Sequence, residues 1–184
     1  MPLAFGTQTG GSLIRPASYC GIVGYKPTHN FISPAGAKAL SATLDTIGVY
    51  GRTVPDAALI GRALIGFAAL DFELKPASAP RIGIYRTPQW PLAEPAMAAA
   101  FEESTAVLER AGARVTQVNA PPLMDEIIHA ADVINDYETY RTLAFERTQH
   151  AHLLSPTMTN KLRKAAGVTR ESYIAAIATA RRCR

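Results

Sequence analysis

The residues with chemistry in their spacing stand at the start of the sequence, in Gly6-Thr7-Gln8-Thr9-Gly10-Gly11-Ser12-Leu13-Ile14-Arg15-Pro16. Ser12 directly follows two glycines and precedes a segment that reads as a helix. Acyl transfer needs a nucleophile, a group that takes its proton, and donors for the oxyanion. Ser12 can supply the first. The N–H groups of Thr9, Gly10, Gly11 and Ser12 can supply the third, because glycines let a substrate oxygen approach the backbone closely. The start of the following helix adds partial positive charge where negative charge develops. Taken alone, a Gly-Gly-Ser turn is commonly just a turn with a helix cap. A phosphate-binding loop is a third reading, but no Lys-Ser/Thr pair follows the glycines and the spacing is not the dinucleotide fingerprint.

The elements that must position this turn are read from period and punctuation. Pro2 to Phe5 could end a buried strand, and Gly6 to Gly11 reads as a loop. Pro16 suits the first turn of a short helix that Gly21 would end. Ile22 to Tyr25 reads as a strand, and His29 to Thr43 as an ordered surface loop. Thr53-Val54-Pro55-Asp56 is a helix start, with a threonine cap, an early proline and an acid three residues after the cap. That helix is expected to reach about Leu70, with Leu59, Ile60, Ala63, Leu64 and Phe67 as its apolar face. Pro76 to Pro80 reads as a linker. Arg81–Tyr85, a helix from Pro95 to about Ala111, and Arg114–Val118 then form a parallel βαβ unit. Beyond Pro121-Pro122, one long helix is expected from about Met124 to about Thr148. Ser155 and Thr169 cap two more helices. The last stays periodic almost to the final residue, which reads as a chain cut in mid-helix.

Composition bounds the rest. The chain has 184 residues, 48% of them hydrophobic and 18% charged, with a net charge of +4. This suits one ordinary domain with a real core. The basic residues at the end (Arg181, Arg182, Arg184) read as a solvated helix end, and no motif or basic stripe points to nucleic acid. Cys20 and Cys183, the only cysteines, form neither a disulfide framework nor a zinc site, so a cytoplasmic chain with free thiols is expected. No cationic leader precedes an apolar run. The most apolar stretch, Ala57 to Leu70, carries Arg62 and is too short to cross a bilayer, so no membrane partner is expected.

The run from Gly6 to Thr28, GTQTGGSLIRPASYCGIVGYKPT, resembles the second half of the signature of the amidase signature family. The resemblance continues at Asp45-Thr46-Ile47-Gly48 and Arg52-Thr53-Val54-Pro55-Asp56, where the family has a D-x-x-G-x-x-x-R-x-x-x-D pattern. It extends more weakly to Tyr137-Glu138. It implies an α/β fold, a mixed sheet flanked by helices, and a single partial domain over 1–184, truncated at both ends. It also implies amide hydrolysis or transfer through a serine ester, with a small-molecule amide as substrate and no metal or organic cofactor. Ser12 matches the family's acyl-accepting serine, and Thr9, Gly10 and Gly11 match its oxyanion loop. The family's lysine and cis-bonded second serine belong upstream, where this sequence has no counterpart. Lys26 falls in the structural G-x-K-P-T segment instead. The resemblance thus implies a chain without its proton acceptor, inactive alone unless a complementing chain supplies the missing Lys and Ser. A non-catalytic remnant, or a binding subunit of a split amidase or glutamine-dependent amidotransferase, is the alternative. A structural or ligand-binding α/β domain with an incidental Gly-Gly-Ser turn is the other rival. Gln8, where many members have aspartate, and Arg15, one residue later than the usual arginine, are departures from the pattern.

Other residues have plainer readings. His150 and His152 lack a third ligand nearby. Asp45 and Arg52 suit an ion pair or a capping role better than substrate contact. Cys20 reads as a small core residue. Trp90 reads as packing or as a cleft wall, and Tyr137 and Glu138 as residues of a long helix near a variable substrate pocket.

Overall fold

In the computed structural model, residues 2–66, 78–119 and 123–183 are described. They fall into two compact units, one from residues up to 66 together with 129–182, the other from residues between 78 and 128.

The first unit is built on three antiparallel strands: β1 (Leu3–Gln8), β2 (Val23–Tyr25) and β3 (Thr46–Gly51), with β3 central. Leu3 pairs with Gly51 and Gln8 with Thr46, while Val23 pairs with Gly51 and Tyr25 with Val49. The strand β1 therefore runs through Gly6 to Gln8, where the glycines suggest a loop, and Phe5 is exposed rather than buried. The central strand is not anticipated by the sequence reading at all. TIGVYG carries two glycines and looks like a turn, yet it is buried on both faces.

Two helices cover those faces, and side-chain alternation along β3 sorts them. Ile47 and Val49 face α2 (Val54–Ile65) and share a core with Ala57 and Ile32, backed by Val23, Ile60 and Ile65. Gly48 and Tyr50 face α1 (Ile14–Cys20). The cap of α2 is as expected: Thr53 Oγ1 accepts from Asp56 N, and Asp56 accepts from Thr53 N. Its end differs. Gly66, at φ 75°, turns the chain out after Ile65, and Leu59 and Leu64 are exposed. The buried stripe is Ala57 and Gly61 with Ile60 and Ile65, because the small residues are what the sheet admits. Phe67 to Leu70 lie outside the described residues.

The rest of the first unit is helical. The expected long helix is two: α4 (Met124–Thr142) and α5 (Ala144–Gln149), separated at Leu143, whose ψ of 25° leaves the α region. The unit holds α4 from His129 onward. The helices α6 (Pro156–Ala165) and α7 (Arg170–Arg182) start where expected, with Ser155 Oγ accepting from Met158 N and Thr169 Oγ1 from Ser172 N. Ile134, Thr139, Leu162, Ala165 and Ala176 are buried.

In the second unit, β4 (Arg81–Tyr85) and β5 (Arg114–Val118) pair in parallel around α3 (Pro95–Arg110), the expected βαβ unit. The α/β architecture is the one anticipated, with antiparallel and parallel pairing in separate sheets. Trp90 packs here, its ring 4.9 Å from that of Phe101, with the Arg86 guanidinium over both.

Candidate active site

The turn between β1 and α1 is positioned by what lies beneath it. Leu13, the residue after Ser12, is wholly buried. A Cβ on Gly48 would lie 2.3 Å from Leu13 Cδ1, and one on Gly24 would lie 2.7 Å from Ala17 Cβ. The two glycines thus open a slot in the sheet that takes the Leu13 side chain and lets α1 lie close. Burying that leucine contributes roughly 2 kcal/mol. Ser12 is thereby forced outward and is exposed.

Hydrogen bonds fix the turn further. Gln8 Oε1 accepts from Leu13 N at 3.0 Å and Ile14 N at 3.2 Å, capping α1 from outside the helix. Local pattern gives no sign of this capping role, since in sequence Gln8 is only a departure from the family's usual residue. Tyr50 donates its hydroxyl to Ser12 O at 3.0 Å, and Arg15 N donates to Gly11 O at 3.0 Å. Gly11 has φ 126°, a conformation that admits little but glycine. Among the described residues, the N–H groups of Gly10, Gly11 and Ser12 make no hydrogen bond. They are open donors beside an exposed hydroxyl.

A polar network runs from the turn into the helices. Thr9 donates its hydroxyl to Asp45 Oδ1 at 2.5 Å. The other oxygen of Asp45 accepts from Leu40 N and Ser41 N at 2.7 and 3.0 Å. Ser41 is completely buried and donates its hydroxyl to Glu138 Oε2 at 2.6 Å. Glu138 also accepts from Thr43 N, the Thr43 hydroxyl and the Tyr173 hydroxyl. Burial pushes the Glu138 carboxyl up, but its hydrogen bonds from Ser41, Thr43 and Tyr173 outweigh that and hold it below its ordinary value. Burial, reinforced by the bond to Glu138, raises the Tyr173 hydroxyl. Asp45 thus has the capping role expected of it, whereas Arg52 makes no ion pair with it among the described residues.

Other candidates fall elsewhere. Glu138 is saturated with donors, and Tyr137 stacks on Tyr173 at 4.1 Å beneath the Arg141 guanidinium, so both serve packing. A cleft of about 520 Å³ is lined by Thr43, Tyr173, Ile174, Ile177 and Arg181 among others, and none of its wall comes from the glycine turn. Cys20, expected in the core, is exposed, because α1 turns only Ala17 inward. His150 lies edge-on to Phe145, and among the described residues no three His, Cys, Asp or Glu side chains converge as metal ligands. Lys26 Nζ donates to Pro27 O at 2.7 Å. Among the described residues, the Ser12 hydroxyl has no hydrogen-bond partner. No helix of the described residues is long and apolar enough to cross a membrane.

A sheet with helices on both faces and a glycine turn holding a serine outward places the molecule among α/β proteins whose site is built on a strand-to-helix turn. A sequence model of the family described as Amidase matches residues 1–183, and the chain belongs to that family. It is 35% identical over 164 residues to the amidase-family subunit of the glutamyl-tRNA(Gln) amidotransferase of Clostridium botulinum (strain Kyoto / Type A2), covering 82% of this chain and 34% of the relative. The chain therefore spans about a third of the length of that curated relative. Among solved structures, one described as an amidase superposes with a TM-score of 0.85 at 27% identity, covering 96% of this chain and 40% of its own. The native peptide amidase of Stenotrophomonas maltophilia gives a TM-score of 0.75 at 27% identity, covering 98% and 44%.

Proposed function

We propose that this chain carries the nucleophile-bearing part of an amide-cleaving site that works through a serine ester. Ser12 Oγ attacks the carbonyl carbon of a small-molecule amide. The oxygen that gains the charge rests on the N–H groups of Thr9, Gly10 and Gly11. The C–N bond breaks, ammonia or an amine leaves with a proton, and water then cleaves the ester and releases the acid. The scheme uses no metal or organic cofactor. The observation that carries it is the set of unbonded N–H groups at Gly10, Gly11 and Ser12 beside an exposed hydroxyl, in a chain of this family. Such donors are worth roughly 100- to 1000-fold in rate each.

The proton of Ser12 needs an acceptor, and none is bonded to it among the described residues, Lys26 being turned to Pro27. We therefore assign the acceptor to a segment outside these 184 residues, carrying the lysine and second serine that the family resemblance implies. The purified polypeptide is expected to show negligible turnover of aliphatic and aryl amides. Turnover abolished by Ser12→Ala would overturn that. With the complementing segment supplied, a fluorophosphonate probe is expected on the Ser12 peptide, and labelling of another serine would refute the nucleophile assignment.

The likeness to the Clostridium botulinum amidotransferase favours a second reading, one component of a glutamine-dependent amidotransferase. In that case, ammonia release from glutamine requires partner chains, whereas a stand-alone amidase does not. The two free, exposed cysteines suit a reducing, cytoplasmic setting in either case.

A further inference from the structure

We propose that Asp45, with Glu138 behind it, is the positioning group of the oxyanion loop, an inference that rests on Ser12 being the nucleophile. The loop is not held by packing. A Cβ placed on Gly10 or Gly11 would meet nothing within 4 Å. Two adjacent glycines without neighbours have the largest conformational freedom a chain offers, so donors carried on them keep their aim only if the loop is tethered. Three tethers exist. Gln8 and Tyr50 hold the helix side, at Leu13 N, Ile14 N and Ser12 O. On the strand side, the side-chain tether is the Thr9 hydroxyl on Asp45 Oδ1.

Asp45 is itself held in place. Its other oxygen is fixed by Leu40 N and Ser41 N, and the turn closes on itself through Leu44 N and Asp45 N, both donating to Ser41 O. Ser41 is the hub, with its N–H on Asp45 and its hydroxyl on Glu138. Glu138 then ties the turn to α4 and, through Tyr173, to α7. Bonds to an ionised carboxylate are about twice as strong as neutral ones, and each oxygen here has at least one donor. The result is one hydrogen-bond chain from α7 to the donors flanking Ser12. Neither carboxylate touches substrate. Both act through Thr9.

Thr9→Val separates this role from a merely structural one. It keeps the shape and removes only the last link, leaving Asp45 on Leu40 N and Ser41 N. By nuclear spin relaxation on the 184-residue chain, the Gly10 and Gly11 amides are expected near an order parameter of about 0.85 in the parent and below about 0.6 in Thr9→Val. Thr9→Ser, which keeps the hydroxyl, is expected to restore the parent value. Melting temperature should stay within about 2 °C across the three, because Thr9 is only half-buried. Asp45→Asn is the second variant. With its amide nitrogen toward Thr9, which can accept, it keeps both backbone bonds and should hold the loop nearly as well as Thr9→Ser. In the complemented enzyme, Thr9→Val is expected to lower kcat about 10- to 100-fold with KM nearly unchanged. Unaltered order parameters in Thr9→Val, or an unaltered kcat, overturn the proposal. The relaxation measurement does not depend on Ser12 chemistry. A probe landing away from Ser12 therefore sinks the nucleophile reading and leaves the tether to be judged by its own result.

Discussion

At the scale of single residues, the site is a matter of which backbone groups are spent and which are not. Gly11 shows this best. Its φ of 126° aims its N–H and that of Ser12 away from the fold. Gly11→Ala forces an L side chain into that conformation, at a cost of about 1–3 kcal/mol. The expected outcome is a lower urea midpoint and loss of probe labelling at Ser12, whereas an unchanged midpoint with full labelling would show the conformation to be unimportant. Glu138 gives a pH prediction. Its carboxyl is held below the ordinary 4.5, so the native state favours the ionised form. That stabilisation is present above the ordinary value and is lost as pH falls through the depressed one. Stability measured by urea unfolding should therefore decline below about pH 4.5 more steeply in the parent than in Glu138→Gln. Parallel declines would show that Glu138 does not carry the effect.

At the scale of elements, sequence reading succeeds where the signal is local. The starts of α2, α6 and α7 are each announced by a hydroxyl residue whose side chain does accept the expected N–H. The end of α1 is announced by Gly21, at φ 61°. Reading fails at β3 because Gly48 and Gly51 look like breakers. Their physical role is close approach, and that depends on Leu13 and α2, which lie outside the strand's own pattern. It fails at Leu143 because the apolar period continues through the break. The candidate site divides in the same way. Ser12 and its glycines are legible as a contiguous turn, whereas the Thr9–Asp45 and Ser41–Glu138 bonds join residues 36 and 97 positions apart and leave no mark on local pattern. Gly48→Ala is the test at this scale. It places a methyl 2.3 Å from Leu13 Cδ1 and 2.5 Å from Tyr25 O, and should destabilise by about 1–3 kcal/mol. A loss below about 0.5 kcal/mol would mean that α1 is not seated by that slot. Thr53→Ala, removing the α2 cap, should cost about 1 kcal/mol by the same assay.

At the scale of the whole molecule, large apolar side chains stand in water. Phe5 is 68% exposed, Tyr19 85%, Leu92 82% and Leu153 73%. The solved relatives are more than twice as long as this chain, which covers 40% and 44% of them. The 184-residue polypeptide is expected to bind a hydrophobic dye and to self-associate at micromolar concentration in sedimentation velocity. A dye-silent, monodisperse monomer would contradict this.

The span of the Ser41–Glu138 tie bears on how the molecule comes into being. A ribosome delivers the nucleophile early, yet the carboxylate that secures its neighbourhood is translated 97 residues after Ser41. Contacts this distant along the chain form late, since closing so long a loop must come first. During synthesis, then, the sheet and its glycine turn precede their final anchorage. Aim is acquired only when α4 docks.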